Sequence, residues 1–212
     1  VFADHDGDGD ADLYIPVNVG GTARWHVRLA SSAAPGAYAG SPVNTGVARY
    51  GAGRVLEFDG DGRRDLLAQG PGSPATWFVH QSTGTGAFLT AINTGLTTAT
   101  VPAPLVTDVD GDGLDDLVYA RDYLVHIRRN TGAGFGPELT TSVGTTINGG
   151  ATLLPLLAGA GGAPDFDGDG RQDLLIMRGT LSLSGPPWYY EGFLSTGTGF
   201  QSLFTTPAAF DA

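Results

Sequence analysis

The sequence contains no cysteine and no lysine among its 212 residues. Without cysteine the chain has neither disulfides nor thiolate metal sites. Its eleven basic residues are all arginine, and 22 acidic residues bring the formal net charge to −11 at pH 7. A chain of this charge should repel nucleic acids and anionic membrane surfaces. No apolar run approaches the ~18 residues of a membrane-spanning helix, so we expect neither a nucleic-acid partner nor membrane insertion.

Residues that disfavour helix interiors are abundant. Glycine accounts for 34 residues and proline for 13, together 47 of 212. Both residue types weaken or break helices, which argues against a helical bundle. The length allows one large domain or two small ones.

The acidic residues are concentrated in four short segments that share one pattern. Each reads acid-x-Asp-Gly-Asp-Gly-x-x-Asp-Leu, numbered here as positions 1 to 10, and loops 1 to 4 span residues 4–13, 57–66, 108–117 and 165–174. Together they hold 18 of the 22 acidic residues. A solvated acidic face needs neither fixed offsets nor two fixed glycines. The negative charge is therefore interpreted as belonging to four sites, with plain surface acidity as the alternative.

Carboxylates packed this closely repel one another, and a bound cation would neutralise them. Oxygen donors at positions 1, 3, 5 and 9 and a main-chain carbonyl at position 7 suit Ca²⁺, which accepts about 6–8 oxygens in flexible geometry. Mg²⁺ demands a stricter octahedron. Zn²⁺ would need histidine or cysteine, and only His5 lies in a loop, at position 2, where we expect it to point outward. An EF-hand is excluded because position 12 lacks glutamate.

The loops belong to a longer repeat. They start at residues 4, 57, 108 and 165, which gives spacings of 53, 51 and 57 residues. A short apolar run follows each loop, and a Gly-x-Gly turn follows later, at residues 82–88, 130–135 and 195–200, with a degenerate copy at 31–38. One unit thus reads as strand, acidic turn, strand, strand, Gly turn, strand. This pattern is typical of a propeller blade, and it predicts repeats at approximately 1–50, 51–100, 101–155 and 156–212.

These features resemble the FG-GAP/VCBS repeat family, through the acidic loop, the later Asn-Thr-Gly-x-Gly-Phe and the period. Such repeats build the calcium-binding β-propellers of integrin α-subunits, of propeller lectins and of parts of toxin-complex and Rhs-type bacterial toxins. The resemblance implies an all-β fold of four-stranded propeller blades. The ends of the sequence share one phase of the repeat, so we expect a piece of a larger propeller, with a closed four-bladed ring as the alternative.

Carried onto this sequence, the family's calcium ligands fall at positions 1, 3, 5 and 9, with the main-chain carbonyl at position 7. We therefore expect up to four Ca²⁺ ions. Loop 2 departs from the pattern because glutamate stands at its position 1. The predicted ligands are Asp4, Asp6, Asp8, Asp10 and Asp12 in loop 1, Glu57, Asp59, Asp61, Arg63 and Asp65 in loop 2, Asp108, Asp110, Asp112, Leu114 and Asp116 in loop 3, and Asp165, Asp167, Asp169, Arg171 and Asp173 in loop 4.

An aromatic residue precedes each Gly turn, and tryptophan fills this place three times. Because the aromatic recurs in every repeat, we expect Trp25 and Trp77 to pack between blades, although such rings also serve as sugar platforms. The third copy departs most from the pattern, following Gly-Pro-Pro in the longest repeat. We therefore expect Trp188, Tyr189 and Tyr190 to contact a ligand.

The same residues argue against catalysis. Most carboxylates are committed to the loops, and the sequence has neither cysteine nor a Gly-x-Ser-x-Gly elbow, so we expect no enzyme. The favoured function is a calcium-stabilised scaffold for protein interaction or adhesion, as part of a larger secreted or toxin-like protein. The alternative is a propeller lectin that binds glycans. Weak calcium sites suit millimolar external calcium, which favours an extracellular or cell-surface location.

Overall fold

A computed structural model describes residues 1–31, 34, 36–101, 103–145, 163–179 and 188–207, with the backbone alone at 177–179, 188, 206 and 207. These residues form strands and turns. Sheet 1 contains β1 (Phe2–Ala3), β2 (Asp12–Val19), β3 (Thr22–Arg28) and β4 (Val43–Ala48). Sheet 2 contains β5 (Gly53–Leu56), β6 (Asp65–Gly72), β7 (Ala75–His80) and β8 (Ile92–Thr97).

The other two sheets follow the same plan. Sheet 3 contains β9 (Leu105–Thr107), β10 (Asp116–Arg121), β11 (Leu124–Asn130) and β12 (Phe135–Gly144), and the described strands of sheet 4 are β13 (Leu174–Gly179), β14 (Trp188–Ser195) and β15 (Phe200–Pro207). In each sheet consecutive strands pair antiparallel. The predicted order of strand, acidic turn, strand, strand, Gly turn and strand is confirmed in sheets 1 to 3, and the described part of sheet 4 follows it from the acidic turn onward. Within the described ranges, no helix is both long and apolar enough to cross a membrane.

The residue pattern explains which strands are central. β7 alternates buried and half-buried residues along its length, as expected of a strand with two different faces. β6 and β10 instead begin with four buried residues in a row, because both of their faces are covered.

The chain forms two compact units. The first comprises Val1–Ala103 with Asn130–Phe135, and the second comprises Pro104–Arg129 with Gly136–Ala212. One core cluster of the first unit contains Tyr14, Trp25, Val27, Leu66 and Ala68. The core of the second unit contains Val109, Val118, Val125, Ile127, Val143, Leu174, Ile176, Phe193 and Phe200. In each unit one hydrophobic cluster therefore joins residues of two successive sheets.

Two tryptophans are core residues. Trp25 is 5% exposed and Trp77 is fully buried. The indole N–H of Trp77 donates to the carbonyl of Val101 at 2.9 Å. Packing, and not sugar stacking, is thus confirmed for these two residues.

The last strand of three sheets carries a threonine that the sequence analysis did not single out. The hydroxyls of Thr45, Thr94 and Thr141 each donate to a carbonyl of the preceding strand, at 2.6, 2.9 and 2.8 Å. In sheets 1 and 2 a glycine with positive φ follows, Gly46 or Gly95. The repeated Asn-Thr-Gly in β4 and β8 is the sequence signal of this local irregularity in strand pairing.

Candidate metal centres

The acidic loops occupy the same place in successive sheets. Loops 1, 2 and 3 join the first strand to the second, and loop 4 precedes β13. In loop 1, the carboxylate of Asp4 accepts the main-chain N–H groups of Gly7 at 2.8 Å and Gly9 at 3.0 Å. These glycines have φ values of 80° and 89°, which residues with a side chain rarely adopt. The loop backbone therefore requires the two glycines of the motif.

Loops 3 and 4 repeat this arrangement, and loop 2 has glutamate in place of the position-1 aspartate. Asp108 accepts from its two glycines at 2.8 and 2.9 Å, and Asp165 does so at 2.7 and 3.1 Å. In loop 2, Oε1 of Glu57 accepts from the N–H of Gly60 at 3.0 Å. Burial, with smaller contributions from neighbouring aspartates, raises the pKa of Glu57.

Each loop brings oxygens of three carboxylates within 4.8 Å of one another. Two oxygens bound to one Ca²⁺ at 2.3–2.6 Å can be at most about 5 Å apart. In addition, Oδ1 of Asp110 is buried and has no hydrogen-bond partner among the described residues. The donors therefore fit a calcium ion, and the groups are Asp4, Asp6 and Asp8; Glu57, Asp59 and Asp61; Asp108, Asp110 and Asp116; and Asp165, Asp167 and Asp173.

The position-9 aspartates have a second role that the sequence did not reveal. All four are buried. In loop 1, Asp12 accepts the main-chain N–H groups of His5 at 2.7 Å and Ala30 at 2.6 Å, one on each oxygen. Asp65 and Asp173 bind the equivalent pairs of N–H groups. These carboxylates fix the loop to the start of the Gly turn, and burial raises the pKa of Asp65 to about 7.

The predicted ligands are thus only partly brought together. Positions 1, 3 and 5 form the compact group in loops 1 and 2, and positions 1, 3 and 9 form it in loops 3 and 4. At position 7, the main-chain N–H groups of Asp10, Arg63, Leu114 and Arg171 donate to the position-5 carboxylate at 2.8–2.9 Å. Metal binding by the position-7 carbonyls stays a prediction.

The Gly turn clasps the acidic loop of the preceding repeat. The hydroxyl of Ser82 donates to the carbonyl of His5 at 2.6 Å, and the hydroxyl of Ser195 donates to that of Val109 at 2.6 Å. The amide of Asn130 donates to the carbonyl of Phe58 at 2.9 Å. All three carbonyls belong to position 2. The sequence signal was the serine or asparagine that opens each Thr-Gly turn, which sequence analysis interpreted as a turn alone.

Neighbouring loops are also joined directly. Within the first unit, the main-chain N–H of Arg64 donates to the carbonyl of Asp4 at 2.6 Å. Within the second, that of Gln172 donates to the carbonyl of Asp108 at 2.7 Å. In both units, position 8 of one loop therefore binds position 1 of the loop before it.

The prediction that His5 points outward is wrong, because the residue is fully buried. Its Nε2 lies 3.1 Å from the main-chain N–H of Gly86, which can only donate. Nδ1 therefore carries the proton and donates to the hydroxyl of Tyr14 at 2.7 Å, which in turn donates to the carbonyl of Arg64 at 2.9 Å. Burial, and then the charge of Arg63, lowers the pKa of His5 to about 4. Burial of the ring is tolerated because its polar atoms are hydrogen-bonded.

A sequence model of the FG-GAP-like repeat matches residues 58–119 and 108–176. The two overlapping regions together cover 119 of the 212 residues. The chain belongs to the FG-GAP-like repeat family. No curated protein sequence matches it significantly.

Two solved structures resemble this FG-GAP-like chain. An Agrocybe aegerita lectin, described as recognising non-reducing terminal N-acetylglucosamine, has a TM-score of 0.67 at 20% identity, over 97% of this chain and 51% of the lectin. The Photorhabdus luminescens Tc holotoxin pore has a TM-score of 0.56 at 18% identity, over 100% of this chain and 10% of the toxin chain. The FG-GAP-like chain thus spans about half of the lectin chain and a tenth of the toxin chain. At these identities the likeness shows a shared fold, an all-β fold of propeller blades.

The aromatic residues predicted to contact a ligand begin a strand of this FG-GAP-like fold. In β14, Trp188, Tyr189 and Tyr190 pair through their backbones with the end of β13. Tyr189 and Tyr190 are half-buried. The preceding Gly-Pro-Pro lies outside the described residues, and ligand contact stays a prediction.

A cavity of about 330 Å³ lies between β4 and the strands β6 and β7 of the first unit. The sequence does not reveal this cavity, because its walls come from two successive repeats. Tyr50, 54% exposed, stands at this cavity. The polar side chains of Gln69 and His80 and the ring of Phe78 also line it. Burial lowers the pKa of His80, which favours its uncharged ring.

Proposed function

We propose that this FG-GAP-like chain is a calcium-stabilised propeller module that binds a macromolecule and catalyses nothing. The supporting observation is the group of three carboxylates, within 4.8 Å of one another, in each of the four loops. Glycines in left-handed conformations and main-chain hydrogen bonds impose the same backbone on each loop. A rigid scaffold of this kind presents the connecting segments that usually carry binding.

Calcium would add counter-charge to the acidic loops. Each ion adds two positive charges, so four ions bring the formal net charge from −11 to −3. The carboxylates at positions 1, 3, 5 and 9 and the carbonyls at position 7 would hold the ions. The chain's own contribution is to hold these oxygens together before the ion arrives.

Titration calorimetry with CaCl₂ tests the proposed calcium binding. We expect up to four ions per chain and a lower melting temperature in excess chelator, since binding stabilises by about 2.7 kcal/mol per site at 100-fold saturation. Asp6→Asn should weaken uptake in loop 1, whereas Asp122→Asn, at an exposed position outside the loops, is the matched control. Absence of calcium uptake together with unchanged melting in chelator would contradict the proposal.

The macromolecule is proposed to be a protein partner at an extracellular or cell-surface location, in a larger secreted or toxin-like protein. Trp188, Tyr189 and Tyr190 are the proposed contacts. Changing Trp188 and Tyr190 to alanine should abolish partner capture while leaving calcium-dependent melting nearly intact. A collapse of melting would instead assign these rings to the core.

Glycan binding is the second candidate, and the cavity of the first unit favours it. An aromatic ring beside a few polar groups in a cavity of about 330 Å³ suits a small ligand with hydroxyl groups. Tyr50→Ala and His80→Ala should each remove binding on a glycan array. Tyr123→Ala is the control, since Tyr123 is 73% exposed and belongs to the β10–β11 turn of another sheet. Equal loss in all three variants, or no glycan bound by the wild type, would reject the lectin.

A further inference from the structure

Two kinds of residue occupy position 7 of the acidic loops. Loops 2 and 4 have arginine there, Arg63 and Arg171, whereas loops 1 and 3 have Asp10 and Leu114. The difference recurs in both units, because the first contains loops 1 and 2 and the second contains loops 3 and 4.

Each of these arginines binds the position-5 carboxylate of its own loop twice. The main-chain N–H of Arg63 donates to Oδ1 of Asp61 at 2.8 Å, and its guanidinium pairs with Oδ2. Arg171 makes the same two bonds to Asp169, with the main-chain bond at 2.9 Å. Both oxygens of this predicted calcium ligand therefore already have a partner from the chain.

The loops without arginine leave this carboxylate more open. Asp8 and Asp112 accept the equivalent main-chain bond, at 2.8 and 2.9 Å. Within the described residues, no arginine pairs with either carboxylate. Loop 3 does meet Arg129, which pairs with Asp110 at 3.2 Å, but this arginine comes from β11 and also donates to the carbonyl of Gly197.

The arginine stems lie close to the loop before them. A Cβ on Gly7 would lie 3.3 Å from Cγ of Arg63, and one on Gly111 would lie 3.2 Å from Cγ of Arg171. The position-4 glycine thus leaves room for the stem. Arg171 is fixed further by donation from its Nε to the carbonyl of Ser195 at 3.1 Å.

We propose that Arg63 and Arg171 are internal counter-charges that weaken calcium binding at loops 2 and 4 and stabilise these loops when calcium is absent. The inference rests on the proposed calcium binding. A guanidinium paired with the position-5 carboxylate competes with the ion for one oxygen and repels its charge. Because the pairs are partly exposed, the repulsion is screened, and we expect about a tenfold loss of affinity at each loop.

Substitution to leucine tests the proposal, since loop 3 already holds Leu114 at this position. We compare Arg63→Leu/Arg171→Leu with Arg24→Leu, which removes one arginine from β3 outside the loops, and with Leu114→Arg, which adds one to loop 3. In calorimetry with CaCl₂, the double variant should bind two ions about tenfold more tightly than the wild type. Leu114→Arg should weaken one site, and Arg24→Leu should change no site.

The same variants are melted in excess chelator. In chelator the double variant should melt at a lower temperature than Arg24→Leu, because its carboxylates have lost their counter-charges. In saturating calcium the double variant should melt at the higher temperature of the two. Normal calcium uptake with equal affinities in the wild type and the double variant would overturn the inference alone. No uptake by any variant would overturn the proposed calcium binding and the inference with it. If the double variant does not fold, an unchanged titration of Leu114→Arg overturns the inference.

Discussion

In the first unit, position 2 of loop 1 is the buried His5, whereas in the second unit the equivalent residue of loop 3 is the buried Val109. Both main chains are clasped alike, since a serine of the next repeat donates to the carbonyl at 2.6 Å in each. The side chains differ in what surrounds them. His5 has polar partners on both ring nitrogens, and Val109 lies in an apolar cluster.

The comparison separates what the fold requires from what it tolerates. The required part is the main-chain arrangement, in which the position-9 aspartate, the clasping residue and the glycines recur from loop to loop. The tolerated part is the side chain at position 2, which is apolar in loops 2, 3 and 4. A polar ring is accepted in loop 1 because Tyr14 and Gly86 satisfy it.

The largest expected effect comes from placing the histidine in the wrong unit. Val109→His would bury a ring among Val118, Ile127 and Phe200, where none of these side chains offers a hydrogen bond. We expect a loss of about 3 kcal/mol in unfolding free energy, from the unpaired polar atoms and the larger volume. Urea denaturation measures it, with Val109→Leu as the control for volume. A loss equal to that of the leucine variant would show that polarity is irrelevant here.

A smaller effect is expected at the partner of His5. Tyr14→Phe removes the hydroxyl that accepts from the imidazole and donates to the carbonyl of Arg64. The buried imidazole and the partly buried carbonyl each lose a partner, so we expect about 2 kcal/mol of destabilisation. The exposed Tyr123→Phe is the control, and its stability should stay within about 0.5 kcal/mol of the wild type. If both variants unfold alike, the imidazole does not depend on this hydroxyl.

Removing the serine hydroxyls that clasp the loops should lower the unfolding free energy by less, and by different amounts in the two units. Ser195→Ala removes donation to the carbonyl of Val109 and acceptance from the N–H of Gly197, and we expect a loss of about 1 kcal/mol. Ser82→Ala should cost more, because this hydroxyl also lies 3.1 Å from Nδ1 of His5. Both are compared with the exposed Ser202→Ala by urea denaturation. Equal losses from Ser82→Ala and Ser195→Ala would mean that the imidazole gains nothing from the clasp.

These contacts show where sequence reasoning succeeds and where it stops. The four-stranded units seen in sheets 1 to 3 were predictable because each turn is a local signal that recurs with a nearly constant period. The burial of His5 was not, since two of its partners, Ser82 and Gly86, lie in the next repeat, 77 and 81 residues away. The sequence did not predict, for a related reason, that Asp12 is both a candidate metal ligand and an acceptor of main-chain hydrogen bonds. Its spacing marks a metal ligand, whereas its bond to the N–H of Ala30 exists only after β2 and β3 have paired.

The smallest expected effect on stability comes from exchanging residues between two hairpin turns, one in each unit. In sheet 1 the β2–β3 turn is Gly20-Gly21, with φ values of 60° and 84°, whereas in sheet 3 the β10–β11 turn is Asp122-Tyr123, at 49° and 67°. A left-handed conformation costs a residue with a side chain about 1–2 kcal/mol. Glycine avoids this cost, but folding a glycine costs roughly 0.5–1 kcal/mol more conformational entropy because its unfolded chain is freer.

Tyr123→Gly should therefore raise the unfolding free energy by about 0.5 kcal/mol, since the ring is 73% exposed and little packing is lost. The converse change, Gly21→Tyr, should lower it by about 0.5 kcal/mol for the same reason. Urea denaturation at constant m-value compares the two variants, with Tyr123→Ala as the control that removes the ring but keeps a Cβ. If Tyr123→Ala stabilises as much as Tyr123→Gly, exposure of the ring, and not backbone strain, is what disfavours tyrosine at this turn.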